Sequence, residues 1–273
     1  MRPAARRQQG LEGGHLLRVH RHRGQVGVAQ GLVEPAVVAG CQYVRVYHFA
    51  GTQHIMGATM PPGVCALPPN TVDPRPFLRA QLVAMDRWVR DETAPPPFAH
   101  PRLVDRTLVP MRTWRFPGIP GVQKPAGPAP KRRFDYGPEF ARGVFGKALP
   151  SVLEGDYPVL ALQVDGDGNE IAGLRVPEQA VPIATSMGWV VRGAASGTPG
   201  ELCYLDDSIV PFVRRADQRR DFRDPRPSLA ERYGTPDAYE AKASAAAAAL
   251  AQSGNLLEED LSRLAARAAA VRW

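Results

Sequence analysis

The chain has no uninterrupted apolar run of the ~18 residues that a bilayer-crossing helix needs, so no membrane span is expected. Its amino-terminal MRPAARRQQGLEGG is basic and lacks the apolar core of a signal peptide, so a cytoplasmic protein is expected. Cysteine is scarce. Cys41, Cys65 and Cys203 show no C-x-x-C spacing, which argues against a zinc site or a thioredoxin-like pair. Idle thiols in a reducing compartment are the favoured reading, with a Cys65–Cys203 bridge left open for an oxidising one. Residues 1–40 hold no Phe, Tyr or Trp on which bases could stack. They carry Arg2, Arg6, Arg7, Arg18, Arg21 and Arg23 against Glu12 and Glu34, so most of the net charge of +7 sits there without a nucleic-acid motif. Elsewhere cations and anions are mixed as on a solvated surface, and nucleic-acid binding is not expected. No serine precedes His54.

What is present is a proline- and glycine-rich globular chain. Of 273 residues, 28 are Pro and 26 are Gly, against 44% apolar content, which implies a packed core threaded by many loops. Residues 1–40 read as a poorly ordered or unrelated leader. His15, His20 and His22 lie there among arginines that would repel a metal cation. From Gln42 the usage becomes that of a packed domain. YVRVYHFAGTQH (43–54) is strand-like through Phe49, breaks at Ala50-Gly51, and delivers His54 onto a loop at the strand's carboxyl end. In open α/β sheets that edge mounts ligands and catalytic groups, and an imidazole titrates near neutrality, so His54 is the candidate general base.

A Pro/Gly-containing connection follows, then a helix with Asp73 as N-cap and Pro74 in its first turn. Leu78, Leu82, Met85 and Val89, with Phe77, Ala84 and Trp88 beside them, form the apolar stripe expected to face a sheet. Residues 101–150 read as extended and irregular, with KRRFD (131–135) a solvated loop. YPVLALQVD (157–165) and EIAGLRVPE (170–178) flank GDGN as a β-hairpin. The carboxyl end is helical. Ser228 and Glu231 make a capping box, Gly234 stops that helix, Thr235-Pro236 opens the next, and Leu257, Leu261, Leu264 and Ala268 line a last one.

Other constellations read as structure. Asp165, Asp167 and Asn169 resemble the start of a calcium loop, but Glu170 and Val176 stand where Gly and Glu are required, and a tight turn needs the same residues. Ala184-Thr185-Ser186-Met187-Gly188 approaches a nucleophile elbow but lacks a following helix. His48 lies within the strand as a satisfied structural side chain, and His100 sits among prolines. Glu34, upstream of His54, has weak strand–loop context for a triad acid. No cofactor or metal is expected.

VRVYHFAGTQH (44–54), PPNTVDPRPFLRAQLVAMDRWVRD (68–91), PRLVDRTLVP (101–110), FPGIPGV (116–122), RRFDYGPEF (132–140), YPVLALQVDGDGNEIAGLRVPE (157–178), GELC (200–203) and DPRPSLAERYG (224–234) occur in order. On these the chain resembles the carboxyl-terminal part of bacterial α/β-hydrolase domain-containing proteins. The resemblance implies an α/β class, as the incomplete end of a hydrolase fold with a hairpin-bearing extension and terminal helices. It divides the chain into the leader (1–40), the last core strand, His loop and packing helix (41–110), a Pro/Gly-rich β-containing accessory region (111–226) and helices (227–273). It also implies serine-dependent hydrolysis of a small-molecule ester or related acyl bond, with the triad histidine carried to His54. The family's elbow and acid lie upstream and have no counterpart in this sequence. The chain therefore looks shortened at its amino-terminal side and inactive alone. The rival expectation is a non-catalytic binding or structural module.

Overall fold

The computed structural model describes residues 44–54, 63–125, 127, 129–203 and 206–273. The leader, with Glu12, Glu34, His15, His20 and His22, lies outside them, as do Cys41 and Tyr43.

The helices are α1 (Arg75–Asp91), α2 (Pro177–Ala180), α3 (Ala216–Phe222), α4 (Leu229–Tyr233), α5 (Pro236–Gln252) and α6 (Leu261–Ala269). The strands are β1 (Leu108–Pro110), β2 (Arg132–Asp135), β3 (Ser151–Asp156), β4 (Leu160–Leu162), β5 (Ala184–Met187) and β6 (Ser208–Pro211). They pair antiparallel as β1 with β4, β2 with β3 and β5 with β6. Residues 129–158 form a compact unit of their own, built on the β2–β3 hairpin. Tyr136 stacks on Phe140 there, and Phe145 meets both rings edge-on. KRRFD is thus an exposed strand rather than a loop, and β1 also interrupts the stretch expected to be irregular.

In the larger unit the expected strand is an extended segment held on both sides. His48 N donates to Ala99 O at 2.8 Å and Ala99 N to Val46 O at 3.1 Å. On the other flank, Leu174 N donates to His48 O at 2.7 Å and Ala50 N to Leu174 O at 3.0 Å. Both pairings are parallel. Parallel neighbours must come from distant chain, and both do. The DGDGN turn forms as expected, but its arms pair only at Val164–Glu170 before β4 turns to β1 and Leu174 to the 44–50 segment.

Helix α1 departs from its expected orientation. Phe77 and Ala80 are buried, Phe77 stacks on Phe49 at 5.7 Å between ring centroids, and Val72, Leu174 and Val176 complete that core. Leu82 is 63% exposed and Val89 81%, and Leu78 and Met85 share their outward face. Phe77 is the large side chain that reaches the 44–50 segment. Burying it, at about 1.5–3 kcal/mol, fixes the helix rotation and turns the longer aliphatic stripe outward. The helix starts one residue later than expected. Pro74 occupies the N-cap position, and Asp73 Oδ1 accepts from Arg75 N at 3.0 Å.

The terminal helices follow their local signals. Ser228 Oγ accepts from Glu231 N, and Glu231 Oε2 accepts from Ser228 N at 2.8 Å. Thr235 Oγ1 accepts from Ala238 N to start α5. The alanines are packing surface: Ala243 meets Ala268, and Ala247 meets Leu256 and Leu264. Arg226, 2% exposed, makes a two-pronged pair with Asp224 and also donates to Thr185 Oγ1 and Val210 O, joining the α3–α4 linker to the β5–β6 ribbon.

Candidate functional site around the His54 loop

The chain leaves the 44–50 segment through Gly51, whose φ of +51° is left-handed. A Cβ there would also lie 2.6 Å from Ser186 O, so only glycine fits. Three side chains from distant stretches pin this turn. Glu170 Oε2 accepts from Gly51 N at 2.8 Å, Asn70 Nδ2 donates to Gly51 O at 2.6 Å, and Gln179 Nε2 donates to Ala50 O at 2.6 Å. Thr52 Oγ1 closes it locally by donating to Phe49 O. Asn70 is held in turn, its N–H donating to Asp207 Oδ1 at 2.9 Å and its Oδ1 accepting from Val72 N.

His54 follows this turn at the carboxyl end of the parallel-paired segment, with its residue exposed. Among the described residues no serine or carboxylate hydrogen-bonds to it. His48 meets an acid instead: its Nε2 lies 2.6 Å from Glu170 Oε2, the oxygen that also holds Gly51. Burial lowers the His48 pKa, but the charge and hydrogen bond of Glu170 together outweigh it, so the net shift is upward. The pair ties the segment to the DGDGN turn, the structural role expected of His48.

Ser186 is buried in β5, its N–H donating to Asn169 Oδ1. That strand pairs with β6 and is followed by Gly188-Trp189, so strand–turn–helix geometry for an elbow is not formed there. In the DGDGN turn, Asp165 Oδ1 accepts from both Asp167 N and Asn169 N, while Asp167 pairs with Arg232. Asn169 Nδ2 donates to Ala184 O. These side chains are committed to the turn and its packing. His100 Nδ1 lies 3.0 Å from Pro101 O, and its ring meets Phe98 edge-on.

A cavity of about 30 Å³ lies beside Glu170 and Ser186 under Trp114, Phe116 and Trp189. That is room for about one water rather than for a substrate, whose pockets run to about 300 Å³ and above. A wider groove of about 950 Å³ runs between α1, residues 93–97 and residues 251–259, and no residue of the 44–54 stretch lines it.

Asp207 is 4% exposed, and its Oδ2 has no hydrogen-bond partner among the described residues. Burial pushes its carboxyl up to about 6. Cys65 and Cys203 form a disulfide, the alternative the sequence left open. The sequence reading missed Asn70, Glu170, Gln179 and Asp207 as supports of the His54 loop. Each acts across more than a hundred residues or on a backbone atom, and neither leaves a local pattern.

A family model described as "Alpha/beta hydrolase domain" matches residues 33–266. No curated protein and no solved structure matches the chain.

Proposed function

Since the chain belongs to the alpha/beta hydrolase domain family, we propose that it carries the proton-transferring part of a serine-type ester or related acyl hydrolase, with His54 as the general base. The observation that carries this reading is the placement of His54 just beyond a pinned glycine turn, at the carboxyl end of a parallel-paired segment. In the reaction a serine hydroxyl attacks the acyl carbonyl while the imidazole accepts its proton. The imidazolium then protonates the departing alcohol, and a water repeats the sequence to release the acid. An acid on the far ring nitrogen would fix the tautomer. The first serine in the sequence is Ser151, and Ser186 is locked in β5. These 273 residues alone are therefore proposed to have negligible acyl hydrolase activity, the nucleophile and acid being supplied from outside them.

The test combines p-nitrophenyl ester turnover with labelling by a serine-directed fluorophosphonate. The expected result is no turnover above buffer and no label. Turnover abolished by His54→Ala, or label at Ser186, would overturn the missing-nucleophile part of the proposal.

A second reading, a binding module without catalysis, is favoured by the outward apolar face of α1, with Leu78, Leu82, Met85 and Val89 in one row. It separates from the first when a serine-bearing partner polypeptide is added. Turnover restored by His54 wild type but not by His54→Ala supports the hydrolase reading, and partner binding without turnover supports the module.

A further inference from the structure

Away from the His54 ring, three soft or anionic donors converge. Cys65 and Cys203 are linked across 138 residues with Cα atoms 5.7 Å apart, and Asp206 Oδ2 lies 3.7 Å from Cys65 Sγ. The donor atoms of all three residues fall within 4.8 Å of one another. Their backbones are fixed: Ala66 N donates to Val191 O, Gly193 N to Val64 O, Cys203 N to Val190 O, and Asp206 N to Cys203 O. Cys203 is fully buried, while Cys65 and Asp206 are half-buried and leave a way in.

We propose that Cys65, Cys203 and Asp206 form a redox-gated site for a soft divalent cation such as zinc, closed as a disulfide when oxidised and open to the metal when reduced. Tetrahedral zinc, with bonds of about 2.3 Å to sulfur and 2.0 Å to oxygen, sets neighbouring donors about 3.8 Å (S···S) and 3.5 Å (S···O) apart. The Asp206–Cys65 separation already matches the second of these edges. The first, and the Asp206–Cys203 edge that now lies within 4.8 Å, call for side-chain rotation of two cysteines whose Cα atoms are 5.7 Å apart and of the Asp206 carboxylate. An external dithiol supplies two electrons and two protons to the S–S bond and is itself oxidised to a disulfide. Metal binding then releases both thiol protons to solvent, because thiolates are the ligands. Two thiolates and a carboxylate carry three negative charges against two positive ones, and water takes the fourth position. In either state a link holds the chain downstream of His54 to the 190–203 segment.

The test titrates zinc into oxidised and phosphine-reduced protein against a chromogenic chelator, with circular dichroism followed throughout. The expected result is equimolar zinc in the reduced protein and none in the oxidised one. Cys203→Ala should abolish binding, Asp206→Asn should weaken it by at least about tenfold, and Cys41→Ala should leave it unchanged. Because reduction could unfold the chain, Cys65→His gives a second route: it cannot form the bridge, and should take up zinc without reductant, whereas Cys65→Ala should not. Absence of zinc in both the reduced protein and Cys65→His overturns the proposal. So does equal affinity for the wild type and Asp206→Asn, or uptake that follows loss of the native dichroism.

Discussion

Glu170 holds His48 and the Gly51 amide with a single carboxylate oxygen, at 2.6 Å and 2.8 Å respectively. The bond to His48 is worth most when the ring is charged. The folded His48 pKa lies above its ordinary value of 6.5, so its stabilisation is complete below that value and fades as pH rises through the raised one. Urea unfolding of the wild type and Glu170→Gln should therefore differ by about 1–3 kcal/mol near pH 6 and by clearly less near pH 9. A difference that grows with pH would contradict the pairing.

Asp207 has the opposite character. Its folded pKa of about 6 stands above its ordinary value of 3.8, so folding favours the protonated acid, and stability falls as pH rises between those values. Asp207→Asn keeps an acceptor for Asn70 N and removes the buried charge. The expected outcome is a gain at neutral pH, bounded by about 3 kcal/mol, that vanishes near pH 4. Equal unfolding midpoints for both proteins at neutral pH would refute it.

The Cys65–Cys203 bridge closes a loop of 138 residues, and in the chain-entropy description such a bridge restricts the unfolded state by about 5 kcal/mol. Reduction should lower the urea midpoint by a large fraction of that amount in metal-free buffer. Thiol titration under denaturation should find one reactive cysteine before reduction, Cys41, and three after it.

The rotation of α1 gives a paired mutational test. Phe77→Ala should destabilise by about 3–5 kcal/mol, because a fully buried ring leaves a cavity against Phe49. Leu82→Ala, on the outward face, should stay within about 0.5 kcal/mol of wild type. Reversed magnitudes in chemical denaturation would restore the orientation expected from the sequence.

Legibility followed distance along the chain. The Ser228–Glu231 cap and the Thr235 start of α5 are decided within three residues, and both were readable. The DGDGN turn is equally local and was read correctly, yet the fate of its arms was not, because β4 and Leu174 are claimed by partners from elsewhere. Periodicity gave α1 one wide apolar stripe, expected to face a sheet, and did not say which part of it would be buried. The choice fell to Phe77, whose partner Phe49 precedes the helix across a loop, and no rule of spacing carries that information. His54 was legible as a loop residue after a strand, whereas the Glu170, Asn70 and Gln179 contacts that shape its loop join backbone to side chain across long separations. Three cysteines allow several pairings, so the bridge needed the fold.

The Gly51 amide is bonded to a carboxylate 119 residues away. Such a bond cannot open by local fraying, since Glu170 is anchored in the turn beside β4 and also grips His48. Deuterium uptake at that one amide should therefore track cooperative opening of the larger unit, so the backbone leading to His54 is released only when the unit comes apart.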